Sequence, residues 1–227
     1  MTHGEAESAQ GLVLLLDLDR TVFDTNAFMH DVAAALGSGF GVDAASFSQQ
    51  IPQFYVQGQG NLQHYDLFGH MASLGLATDQ AKAHLLEALV GNNYVYDDVP
   101  PFLDFLAQTV QPAVKEIWTH GEQNCQELKY ALAPELGGLA LVTMLGSKAQ
   151  NLNVRFPGQT VMIFDDKKIE GLQPSSRHVL VARDTDPLPE GAYRSFAEVQ
   201  EHWDEIVDSL SEPHGLLHYP TGRRWRS

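Results

Sequence analysis

The clearest pattern along the chain is a set of short, unbroken apolar runs: LVLLL at 12–16, the centre of KEIWT at 115–119, and VMIF at 161–164. Runs of this length without polar alternation predict strands buried on both faces, as in a parallel sheet covered by helices. HVLVA at 178–182 and LALVTML at 139–145 are further strand candidates. Between them the apolar spacing becomes helical, in EQNCQELKYALA (122–133) and SFAEVQEHWDEIVDSL (195–210). Strands alternating with helices predict an α/β fold with a Rossmann-like parallel sheet.

Residues 22 to about 95 break that rhythm. NAFMHDVAAAL (26–36), ASFSQQI (45–51) and DQAKAHLLEALV (79–90) predict helices, with Gly-rich breaks at GSGFG (37–41) and GQG (58–60). No stretch there predicts a strand. VPPFLDFL (99–106) is expected to return the chain to the sheet. The expected organisation is a core of residues 10–21 and 97–210, a helical insert of 22–96, and a tail of 211–227. The end of that tail, HYPTGRRWRS, is basic and aromatic and is expected to be mobile or docked on the surface. There is no internal repeat.

Composition narrows the setting. The 227 residues are 44% hydrophobic, enough for a sizeable core, and carry a formal net charge of −15. So acidic a chain is not expected to partner nucleic acid or an anionic membrane, which need a positive footprint. Cys125 is the single cysteine, so no intrachain disulfide forms. The opening MTHGEAESAQ lacks the basic and apolar regions of a signal peptide. A cytoplasmic location is the expectation.

The first apolar run ends in DLDRT, at 17–21. Residues two apart on a strand share a side, so Asp17 and Asp19 converge. Two neighbouring anions need a cation between them, or one must hold a proton. Open α/β sheets bind ligands at the carboxyl ends of their strands. A second acidic pair, Asp165 and Asp166, closes VMIF in the same way. Carboxylates from two strand ends can hold a hard cation, and Mg²⁺ suits a site with few carboxylates, waters and a phosphate. A third strand ends in WTHGE, where Thr119 offers a hydroxyl and the following helix start offers N–H groups. Lys148, in LGSKAQNL, opens a helix after the 139–145 strand and supplies a point charge suited to phosphate.

These four pieces, in this order, resemble the haloacid dehalogenase-like (HAD) hydrolase superfamily. DLDRT matches its first motif, EIWT its second, Lys148 its third and IFDD its fourth. The resemblance covers about 12–25 and 97–190, and implies a HAD-type core with an inserted helical cap of the C1 type that closes over the site and selects the substrate. It implies Asp17 as nucleophile forming an aspartyl-phosphate, and Asp19 as general acid and then base. It implies Mg²⁺ held by Asp17, Asp166, the Asp19 carbonyl and, directly or through water, Asp165. Thr119, Lys148 and the His120 backbone N–H would grip the phosphoryl group. Lys129, on the helix after the second motif, is the alternative to Lys148. Dehalogenases of this fold lack an acid at the position of Asp19, so Asp19 implies a phosphatase acting on a small phosphorylated metabolite. A phosphomutase and a catalytically silent binding protein are the alternatives.

Arg20 stands where the family commonly has Gly, and could face solvent, pair with an acid or reach the substrate. His64 and His70, with Asn61 and Tyr65, could line the substrate side of the insert, though surface or core placement is the plainer expectation. Asp24 and Thr25 are expected to shape the turn into the insert. Cys125, Trp118 and Trp203 are expected in the core.

Overall fold

A computed structural model describes residues 11–58, 62–110 and 112–211. The N-terminal decapeptide, Gln59, Gly60, Asn61 and the HYPTGRRWRS tail lie outside the described residues. Five parallel strands form the main sheet: β1 (Val13–Leu16), β4 (Val114–His120), β5 (Ala140–Met144), β6 (Val161–Asp165) and β7 (Ser176–Leu180). Their order is β5-β4-β1-β6-β7, so β1 is central.

Both faces of β1 are covered, which is why its sequence shows no alternation. Leu14 and Leu16 pack with Phe102, Phe164 and Phe196 in one cluster. Val13 and Leu15 pack with Trp118, Leu152 and Ile163 in another. Helices α5 (Val99–Thr109), α8 (Phe196–Glu201) and α9 (Trp203–Ser211) contribute to the first face. Helix α7 (Lys148–Arg155) covers the second, and α6 (Gln123–Ala131) follows β4 with its Leu128 in the first cluster. VPPFLDFL thus rejoins the sheet as a helix, with prolines at its first turn where no amide partner is lost.

The predicted helix over 195–210 is interrupted at His202, which takes φ −108° and ψ 17°. Its own ring Nδ1 competes for the Glu198 carbonyl at 2.9 Å, a local bond that loosens a helix.

Between β1 and α5 lie α1 (Thr25–Phe40), α2 (Ala44–Gln50), α3 (Leu67–Ser73) and α4 (Thr78–Leu89). A two-stranded antiparallel hairpin, β2 (Tyr55–Gln57) with β3 (Gln63–Tyr65), sits among them. The insert is therefore not free of strands: three residues per strand are too few to show a period of two. Helix α1 also runs through the expected break at GSGFG and stops only at Gly41, in the left-handed region at φ 69°. Gly39 stays helical because α4 packs close: a Cβ there would lie 2.2 Å from the His84 ring. Helix α3 escaped the sequence reading because its interior Gly69 hides its periodicity. Asp66 caps it, accepting from the Gly69 N–H at 2.8 Å.

The chain leaves and re-enters the core at one place. Asp24 donates its N–H to the Tyr94 carbonyl at 2.7 Å, and Tyr96 donates to that of Val22 at 3.2 Å. Arg183 holds both crossings, donating to the Thr21 carbonyl at 2.8 Å and to Asp98 at 3.1 Å while lying 4.0 Å above the Tyr96 ring. Among the described residues no helix is long and apolar enough to cross a membrane.

Candidate active site

The chain order places a switch point beside β1. Successive strands move outward from β1 through β4 to β5, then return to its other side at β6. The loops leaving β1 and β6 therefore diverge, opening a crevice at the carboxyl edge of the sheet. Asp17 follows β1 directly and Asp165 ends β6, while the Asp17 N–H donates to the Phe164 carbonyl at 2.8 Å. One oxygen from each of Asp17, Asp165 and Asp166 lies within 4.8 Å of the others.

Lys148, the first residue of α7 and capped by Ser147, reaches between them. Its ammonium donates to Asp17 and, at 2.5 Å, to Asp165. Its side chain is only 10% exposed, so these are bonds in a desolvated place. Burial would lower the Lys148 pKa, but Asp17 and Asp165 outweigh it and hold the ammonium protonated. Asp17 is pushed well above the ordinary carboxylate range, first by burial and then by Asp165, Asp166 and Asp19, against Lys148. Asp166 is pushed up to about 6, mainly by burial, with Asp165 adding to it.

The second aspartate of the motif is held quite differently. Asp19 accepts from Lys129 at 2.5 Å, Thr25 at 2.5 Å and Gln126 at 3.0 Å. Burial would raise its pKa, but the Lys129 ammonium and those three donors overcome it and hold Asp19 below its ordinary value. The two lysines weighed as alternatives thus both belong to the site, Lys148 on Asp17 and Lys129 on Asp19.

Arg20 takes φ 63°, a left-handed conformation that costs a side-chain-bearing residue about 1–2 kcal/mol relative to glycine. It approaches Asp184 at 3.6 Å and Asp166 at 4.0 Å, so it pairs with acids while also lining the cavity.

These groups share one cavity of about 770 Å³, roofed by the insert. Asp17, Asp19, Lys129, Lys148, Asp165, Asp166 and His120 all line it. Thr119 does not; it is fully buried and its hydroxyl has no partner among the described residues. The ring of His120 supplies what its sequence position did not reveal. A carbonyl only accepts, so Nε2–H of His120 donates to Leu145 at 3.2 Å, and the ring stands 5.8 Å from that of His64 in the hairpin. Gly58 brings the hairpin against the same loop: a Cβ there would lie 2.9 Å from the Leu145 carbonyl oxygen. Gly58→Ala is expected to lift the hairpin off the core at a cost of about 1–3 kcal/mol in local stability. Faster hydrogen exchange at residues 55–57 and 63–65, with the sheet unaffected, is the result that checks it.

A Burkholderia xenovorans protein described as a haloacid dehalogenase-like hydrolase superposes with a TM-score of 0.64 over 87% of this chain and 99% of its own, at 16% identity. The chain has the haloacid dehalogenase-like fold. L-2-haloacid dehalogenase from Xanthobacter autotrophicus matches over 86% of this chain and 98% of its own, with TM-score 0.52 and 14% identity. The Bacillus subtilis HAD-hydrolase YfnB, solved bound to magnesium, covers 85% and 98%, with TM-score 0.50 and 12% identity. No family model and no curated relative matches the sequence.

Within this HAD-like fold Asp17 converges with Asp165 and Asp166 as their strand-end positions imply, and Lys148 joins them; Asp19 lines the same cavity but is held by Lys129, Gln126 and Thr25. Lys129, Gln126 and Thr25 are the members sequence reasoning underused. Gln126 and Lys129 lie on one face of α6, three residues apart, and both are buried, which the sequence does not show. Cys125 sits beside them, buried yet lining the cavity, its thiol pushed up to about 11 by burial.

Proposed function

We propose that the chain is a Mg²⁺-dependent phosphomonoester hydrolase that works through an aspartyl-phosphate on Asp17. The observation that carries this reading is the separation of the two motif aspartates inside one cavity: Asp17 packed among acids and Lys148, and Asp19 gripped by Lys129, Gln126 and Thr25.

The donor set suits a hard cation. Asp17, Asp165 and Asp166 offer carboxylate oxygens close together, and burial, with the neighbouring acids adding to it, opposes ionisation of Asp17 and Asp166, which a bound cation would favour. When bound, Mg²⁺ would supply charge neutralisation for a phosphate beside these carboxylates. The remaining work falls to side chains. Lys148 neutralises Asp17 and the phosphoryl oxygens that approach it. Asp17 attacks phosphorus; the leaving alcohol takes its proton from Asp19, and Asp19 later removes a proton from the attacking water. Lys129 favours the ionised form of Asp19, the form that second step requires. The arriving phosphate dianion favours the protonated form needed for the first. The insert acts as a cap that excludes water and chooses the alcohol.

The test is turnover of a panel of small phosphate esters by the purified chain, first in EDTA and then with Mg²⁺ added back. Phosphate release that requires Mg²⁺ is expected. Transfer of the phosphoryl group between positions of a substrate without release would identify a mutase, and metal binding without any turnover would identify a silent relative. Asp166→Ala is expected to weaken Mg²⁺ binding on the order of 10- to 100-fold, read by calorimetric titration of the folded variant. Unchanged affinity would remove Asp166 from the metal site.

A further inference from the structure

The cavity has two unlike walls. The aspartates, lysines and Arg20 stand on the core side. The insert side is mainly Met29, Ile51, Tyr55, Leu62, His64 and Tyr65; its Thr25, Asn26 and Gln63 already donate to Asp19, Asp184 and Gln57, and among the described residues no Asp, Glu, Lys or Arg of the helices or hairpin of the insert lines it.

Tyr65 offers the cavity its ring rather than its hydroxyl, because that hydroxyl is bonded to Nδ1 of His70 at 2.7 Å. His70 is fully buried and stacked between Phe47 (centroids 4.3 Å, interplanar 1°) and Phe54 (4.1 Å, 13°). The Tyr65 ring is therefore a fixed panel, and Tyr55 stands beside it with centroids 6.0 Å apart. Two large side chains of this wall are left in water: Tyr55 is 50% exposed and Leu62 40%. Apolar groups held open beside a charged floor suit a ligand with one ionic end and one flat apolar end.

We propose that the substrate is the phosphate monoester of an uncharged alcohol carrying an aromatic or similarly flat apolar group, which the Tyr55–Tyr65–Leu62 wall covers. Esters with a second anionic group, and polyol or sugar phosphates, are poor substrates, because the wall offers them no countercharge and few hydrogen bonds for the water they lose. This rests on the phosphatase reading, and the test separates the two.

The experiment compares kcat/KM, with Mg²⁺ present, for esters whose alcohols ionise alike. The panel is benzyl phosphate, 2-phenylethyl phosphate, glycerol 3-phosphate, glucose 6-phosphate and 4-carboxybenzyl phosphate. The two aryl-alkyl esters are expected to exceed the polyol esters roughly 10- to 100-fold, and the ring carboxylate to cost about 10-fold or more. Leu62→Asp places a charge on the wall at an exposed position and is expected to lower kcat/KM for benzyl phosphate about 10-fold, mainly through KM. Its thermal unfolding should match the parent. Polyol esters cleaved as well as the aryl-alkyl ones would overturn the apolar wall and leave the phosphatase standing. So would a folded Leu62→Asp enzyme with unchanged benzyl phosphate kinetics. Absence of phosphate release from every ester would end both readings together.

Discussion

Replacing Asp17 with Asn is expected to abolish turnover, by about 10⁴-fold or more, while leaving the protein folded. The amide cannot attack phosphorus, and loss of a nucleophile typically removes nearly all the chemistry. The fold should tolerate the change because Asn has nearly the same volume. It also relieves a crowded, buried carboxylate whose ionisation is opposed by burial and by three neighbouring acids. Lys148 keeps Asp165 as a partner. The metal-free variant should therefore unfold at a temperature equal to or above that of the parent. Phosphate release, thermal unfolding in EDTA, and acid-quench mass spectrometry for covalent phosphate on the parent together test this. A variant that turns over at the parent rate, or a parent that never carries phosphate, would remove the covalent mechanism.

Lys148→Ala is expected to damage both stability and catalysis, and to let the two be separated. Its ammonium is the group that bridges Asp17 and Asp165. Removing one partner from a buried ionic cluster typically costs about 3–5 kcal/mol, because the charges left behind stay buried and unpaired. The metal-free variant should therefore unfold well below the parent. Saturating Mg²⁺ should recover much of that loss, since a divalent ion among the same oxygens restores the missing charge. It should not recover turnover, expected to stay down about 10²- to 10³-fold, because an ion held by the carboxylates does not replace an ammonium donating to the phosphoryl oxygens. Thermal unfolding with and without Mg²⁺, alongside the ester assay, reads both effects. If Mg²⁺ stabilises variant and parent equally, Lys148 does not share its carboxylates with the metal.

The core of this protein could be read from its sequence because its strands are buried on both faces. LVLLL and VMIF show no alternation for the same reason that Leu14 and Leu15 face different clusters. The acids of the candidate site were legible because Asp17 and Asp165 close such runs. The insert was less legible. Its hairpin has strands of three residues, α1 carries Gly39 against the His84 ring, and α3 hides a turn behind Gly69. Those features answer to tertiary neighbours rather than to local propensity. The same holds for Lys129: its role depends on α6 lying beside the β1 loop, which no local pattern encodes.

The paired crossings at Phe23 and Val95 have an engineering and evolutionary consequence. A segment that departs and returns through adjacent backbone positions can be exchanged for another of any length without moving the framework that carries the chemistry. Arg183, outside the segment, would hold a foreign replacement at the same two points of attachment. The molecule is in that sense a socket with an interchangeable fitting, provided a replacement keeps a donor at Thr25 for Asp19.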